Sequence, residues 1–138
     1  MALATLEGSA FAQRGAAKPA AHAHHDGHDG KQDACAKACS DCQRACDSCS
    51  THCAGMLQAG KHEHMKTLAT CQDCAGVCAA AAQIVSRHGP FAKEICKACA
   101  DVCAGCAEAC EKIANDEHMK QCAEECRRCE KACREMIG

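Results

Sequence analysis

Along this chain the positions that read as interior recur at alternating spacings of four and three, the period of one buried helix face in a bundle. Between residues 35 and 53 those positions are Cys35, Cys39, Cys42, Cys46, Cys49 and Cys53. The spacing returns in Cys96, Cys99, Cys103, Cys106 and Cys110, in Cys122, Cys126, Cys129 and Cys133, and in a shorter row, Cys71, Cys74 and Cys78. Asp, Glu, Lys and Arg fill the other faces. The pattern predicts four helices. The first runs from near Asp33, a good N-cap residue, to about Leu57, with Gly60 as its stop. The second spans roughly His62 to Arg87 and ends at the break His88-Gly89-Pro90. Pro90 suits the first turn of the third, which runs to about Ala114. Asn115 and Asp116 cap the fourth, which continues to about Ile137.

The rows repeat. Cys39 to Cys53 map onto Cys96 to Cys110 at one constant offset, and Cys71, Cys74 and Cys78 map onto Cys126, Cys129 and Cys133 at a nearly equal one. His64-Met65-Lys66 recurs as His118-Met119-Lys120. Leu68 aligns with Cys122, so the second helix carries one thiol fewer. The expected fold class is therefore all-α: an antiparallel four-helix bundle over residues 33–138, built from two repeated helical hairpins with a cysteine-lined core.

Residues 1–32 read as a disordered tail without sustained period. Gly8-Ser9-Ala10-Phe11-Ala12-Gln13 resembles the end of an export signal, although the basic and apolar regions that precede such a site are missing. A truncated signal implies an exported, periplasmic protein; the chain as it stands reads as cytoplasmic. His22, His24, His25 and His28 form a tract that either collects metal ions weakly or is simply solvated.

Composition changes the picture in one respect. The chain has 18 cysteines, 16 basic and 18 acidic residues, and no Trp or Tyr. No basic block suggests nucleic acid, and no apolar run suggests a membrane partner. The core is thin, because Cys and Ala bury little area each, so bound metal is expected to supply part of the stability. Disulfides do not fit the spacing. Helix neighbours three or four apart hold their Cβ atoms roughly 5–6 Å apart, and a disulfide needs about 3.5–4.5 Å. No catalytic set is visible, so an enzyme is not expected.

Soft thiolates select Cu(I), Zn(II) or iron–sulfur clusters. Zn(II) wants four ligands, and a regular seam is expected to offer pairs and triples more readily than closed tetrahedra. Cu(I) accepts two or three thiolates. Sharing each thiolate between two ions brings a buried core toward neutrality. The expectation is bridged Cu(I)–thiolate clusters holding between about half the cysteine count and the full count of ions. Zinc or general soft-metal sequestration stays open beside it. An iron–sulfur carrier fits less well, since such proteins gather cysteines in compact loops. A thiol–disulfide enzyme fits least, because its C-x-x-C sits at a helix N-terminus. A bundle with cysteine as mere filler is the plainest alternative.

Motifs such as Cys96-Lys97-Ala98-Cys99-Ala100-Asp101-Val102-Cys103 and Cys122-Ala123-Glu124-Glu125-Cys126-Arg127-Arg128-Cys129 resemble those of the bacterial copper storage proteins, over about Asp33 to Gly138. The resemblance implies storage of many Cu(I) ions inside the bundle and a homo-oligomer, with tetramers among its members. A copper chaperone or a recipient cuproenzyme would be the partners of such a store. Both exported and cytosolic members are implied; no twin arginine is present.

An entrance can also be sketched. Met56 follows Cys53 by three residues, Met119 precedes Cys122 by three and His64 precedes Cys71 by seven, and an antiparallel bundle brings these to one end. His62, Met65 and His118 lie nearby. Thioether and imidazole hold Cu(I) more weakly than thiolate, which suits capture at a mouth. The plainer reading is that the methionines fill the core and the histidines are solvated. At the other end Ile84, Val85, Phe91, Ile95 and Ile137 are expected to form an apolar plug. His52 reads as a surface histidine, His88 as a helix-stop residue without a metal role, and Met136 as packing.

Overall fold

The computed structural model describes residues 28–138 apart from Ala114. The export-like stretch and His22, His24 and His25 lie outside the described residues. Four helices follow one another: α1 (His28–Gln58), α2 (His64–Ser86), α3 (Ala92–Glu111) and α4 (Glu117–Ile137). Each packs on the next and α4 closes on α1, with no diagonal pair touching backbone to backbone. The four therefore stand at the corners of a square, as the two-hairpin repeat predicts.

The turns show why the helices end where they do. After α1, Gly60 takes φ +82°, its N–H donates to the Leu57 carbonyl, and the Lys61 N–H donates to Met56. This is the Schellman closure that glycine favours. The end of α2 has the same closure with a histidine in the left-handed position. His88 has φ 52°, its N–H donates to Val85, and the Gly89 N–H donates to Ile84. Gly89 is needed for space: a Cβ there would lie 3.1 Å from Ile84 Cγ2 and 3.2 Å from the Ile84 carbonyl oxygen.

Three boundaries differ from expectation. α1 reaches back to His28, because Lys31, Gln32 and Ala34 are good helix formers and a capping residue at Asp33 does not oblige a start. α3 begins at Ala92, and the Ala92 N–H donates to Gly89 across the Pro90 turn. It also stops at Glu111, before the left-handed Asn115. Asp116 caps α4 as expected, Oδ1 accepting from the N–H groups of His118 and Met119 at 3.0 and 3.2 Å.

All eighteen cysteines are buried free thiols. Of the fully buried side chains among the described residues, only Met119, His64, Val85 and Thr67 exceed cysteine in size. The core is accordingly as thin as the composition implied. By length and composition α2 alone of the described helices would pass for a membrane span. Its apolar character comes from Ala and Cys together with Leu68, Val77, Ile84 and Val85, and its three cysteines face the shared interior. At one end of the tube Val85 and Met136 are buried, with Ile84, Ile95 and Ile137 packed on the core. Phe91 does not join them. It is 68% exposed, since the Pro90 turn projects it outward ahead of the first turn of α3.

Candidate metal centre

In a square antiparallel bundle, each level of the interior receives side chains from up to four helices. The cysteine rows therefore interleave. At the end where Val85 and Met136 are buried, the Cys35 Sγ lies 3.5 Å from Cys96 and 3.6 Å from Cys133. One level in, Cys39 sits 3.9 Å from Cys99, 3.6 Å from Cys133 and 3.7 Å from Cys129. The middle joins Cys42 to Cys103 at 3.8 Å and to Cys126 at 3.8 Å, and Cys78 to Cys103 at 3.6 Å. Towards the other end Cys46 meets Cys126 at 3.6 Å and Cys71 meets Cys106 at 3.6 Å. The thiols form one continuous sulfur lattice.

The lattice contains closed quartets. Cys39, Cys99, Cys129 and Cys133 have all four sulfurs within 4.8 Å of one another, and so do Cys42, Cys74, Cys78 and Cys103. Cys46, Cys106, Cys122 and Cys126, and Cys49, Cys71, Cys110 and Cys122, form others. The expectation that a helical seam offers pairs and triples rather than tetrahedra is therefore corrected. One row cannot close a tetrahedron, but convergence of three or four rows can.

Beyond Cys49 and Cys53 the tube meets Met119, whose Sδ lies 4.0 Å from each of their sulfurs. Met119 is fully buried, and so is His64 on the facing hairpin. The Nδ1 of His64 is buried without a hydrogen-bond partner. Burial pushes the Cys53 thiol up to about 12, helped by the neighbouring Cys49. The Cys53 thiol is thus held protonated until something displaces the proton.

Above this level lies a group the sequence did not assemble. Asp116 Oδ2 is 2.8 Å from His52 Nε2 and 4.0 Å from His64 Nε2. The His52 ring stacks on His118 with centroids 4.5 Å apart and planes at 3°, and meets His64 edge-on at 5.9 Å. His118 Nε2 lies 3.4 Å from Ser48 Oγ. Partial burial alone would raise the Asp116 carboxyl. The His52 bond and the two capping N–H groups outweigh it and hold the carboxyl below its ordinary value. His52 is thus no plain surface histidine: α4 packs beside α1, and Asp116 draws the ring towards His64 at the Met119 end of the tube. Asp116 and His52 could have been found only from knowing that α1 and α4 adjoin.

The predicted mouth residues divide. His64 and Met119 complete the tube and His118 half-covers it. Met56 is half-buried in a shallow groove beside His52 and His118 instead of continuing the Cys53 row. Met65 is 58% exposed and His62 is exposed. The register of the repeat explains Met65. The cysteine rows of α2 and α4 correspond at an offset of 55, but the His-Met-Lys triplets correspond at 54. One residue on a helix is about 100° of rotation, so α4 turns its methionine inward and α2 turns its histidine inward. The same slip makes Thr67, not Leu68, the counterpart of Cys122: Thr67 is buried and Leu68 only partly so.

The family model described as copper storage protein matches residues 14–138. Among solved structures, a cytosolic copper storage protein from Streptomyces lividans carrying five coppers is 35% identical with a TM-score of 0.73, over 80% of this chain and 94% of that one. The same protein loaded with 10 copper equivalents is 35% identical with a TM-score of 0.74, over 86% of this chain and 92% of that one. A Cu(I)-bound copper storage protein, BsCsp3, is 36% identical with a TM-score of 0.72, over 78% of this chain and 99% of that one. None of the curated proteins compared matches the sequence. With buried thiols in four interleaved rows and a match over nearly its whole length, the chain belongs to the copper storage protein family.

Proposed function

We propose that this protein stores many Cu(I) ions as thiolate clusters inside the bundle, with all eighteen cysteines as ligands. The observation that carries the reading is the unbroken sulfur lattice. Every cysteine is a buried free thiol, and sulfurs from different helices lie 3.5–4.0 Å apart along the tube. Bridging thiolates keep such a core near neutrality, which one ion per isolated pair would not. The role is storage for supply or detoxification rather than catalysis. A copper donor and a copper recipient, each a protein able to offer or accept Cu(I), would meet the store at its open end.

Cu(I) enters past His64, Met119 and His118, with His52 positioned beside them by Asp116. Support comes from the buried, unpartnered Nδ1 of His64 and from the approach of Met119 Sδ to both Cys49 and Cys53. Met56 lies at the rim.

Anaerobic titration of reduced protein against a competing Cu(I) chelator tests storage. Saturation between about half the cysteine count and the full count is expected; saturation at a few equivalents overturns the reading. Stopped-flow loading of a variant with His64, Met119 and His118 replaced tests the entrance. Slower loading with most of the capacity retained is expected, and an unchanged rate overturns it.

A further inference from the structure

The geometry points to a second cargo: in the absence of copper the bundle takes Zn(II) into three or four separate four-thiolate sites. The inference rests on the same thiol core as the copper reading and deepens it. Sulfurs bound tetrahedrally at about 2.3 Å from an ion are about 3.8 Å from one another. Cys39, Cys99, Cys129 and Cys133 have four of their six edges at 3.9, 3.6, 3.7 and 3.8 Å and the other two within 4.8 Å. Cys42, Cys74, Cys78 and Cys103 have four edges at 3.8, 3.9, 3.7 and 3.6 Å and the other two within 4.8 Å. Zinc would need little rearrangement of either set.

The quartets overlap, and the overlap sets the capacity. Cys39/Cys99/Cys129/Cys133, Cys42/Cys46/Cys74/Cys126 and Cys49/Cys71/Cys110/Cys122 share no residue. Eighteen cysteines allow at most four such sets. Thiols that copper shares among many ions thus serve only three or four zinc ions, and each ion releases four protons on binding four thiols.

Charge decides which metal wins. A divalent ion with four thiolates is a buried dianion. Helical backbone N–H groups are already committed within the helices, so few donors remain to offset it. Bridged Cu(I) with about one thiolate per ion carries no such surplus. Zinc therefore occupies the empty store and leaves when Cu(I) arrives.

The test is an anaerobic Co(II) titration of the reduced full-length protein, Co(II) being a coloured probe of zinc sites, followed by Cu(I). A plateau at three or four equivalents is expected, with thiolate-to-cobalt charge-transfer bands and tetrahedral d–d bands that either Zn(II) or Cu(I) abolishes. Any other plateau, or the weak bands of imidazole and water ligation, overturns the inference. Protein that fills with Cu(I) but takes no Co(II) sinks this inference alone. Protein that takes Co(II) into tetrathiolate sites but little Cu(I) sinks the copper reading and leaves the zinc sites standing.

Discussion

Asp116 divides its carboxylate between two tasks: Oδ1 caps α4 and Oδ2 holds His52. Asp116→Ala should cost the copper-free protein about 1 kcal/mol in chemical denaturation, the usual value of an N-cap. Asp116→Asn keeps a capping oxygen and should recover most of that loss. The capping role was legible from sequence, because Asn115-Asp116 sits just ahead of a periodic segment. The histidine contact was not, because residues 52 and 116 meet only through the packing of α4 on α1. His88 makes a second case at this scale. Its left-handed φ of 52° costs a side-chain-bearing residue about 1–2 kcal/mol, of which the greater freedom of glycine in the unfolded chain takes back about 0.5–1. His88→Gly should therefore gain about 0.5–1 kcal/mol in backbone energy, read from urea unfolding of His88→Gly against His88→Ala, which both lack the imidazole. The sequence marks a break at His88-Gly89-Pro90, but not which residue takes the left-handed position; Gly89 was the natural candidate.

Among the helices, α2 is the thiol-poor one. Its row continues beyond Cys71 as Thr67 and His64, and beyond Cys78 as Ala81 and Val85, all buried. Thr67 Oγ1 donates to the Ala109 carbonyl at 3.4 Å, a long bond whose loss should matter little. Thr67→Cys should restore the missing thiol, raising the thiol count by one and Cu(I) capacity by about one. Thiol assay and copper titration of the variant would show it. Helix identity and inward face were readable from the four-and-three spacing because cysteine marks the core as plainly as leucine would. Helix ends were less so. The first turns of α1, around Gly30, Lys31 and Asp33, are largely exposed, so no periodic core residue signals where the helix begins. The quartets were also hidden, since each needs the mutual height of three or four rows.

For the molecule as a whole, the thin core makes stability depend on protonation and on metal. The Cys53 thiol is raised from 9.0 to about 12 in the folded protein. A raised thiol stabilises the fold fully below about pH 9 and ceases to do so as the pH climbs towards 12. The melting temperature of copper-free protein should therefore hold level from about pH 7 to 8.5 and fall above about 9. Copper-loaded protein, whose thiols have already lost their protons to metal, should show no such fall and should melt higher throughout. Thermal scans of both forms across this range would check the pair of statements. If the two forms lost stability in parallel, Cys53 would not be the group responsible.

The one-residue slip between the two hairpins carries a consequence for how the opening answers to its surroundings. Were the halves in strict register, the tube would end in two like donors, and one change of conditions would affect both together. Instead it ends in the imidazole of His64 and the thioether of Met119. An imidazole offers a borderline nitrogen donor; a thioether offers a soft sulfur one. A duplicated unit has thereby acquired two unlike hands at its rim, one of nitrogen and one of sulfur.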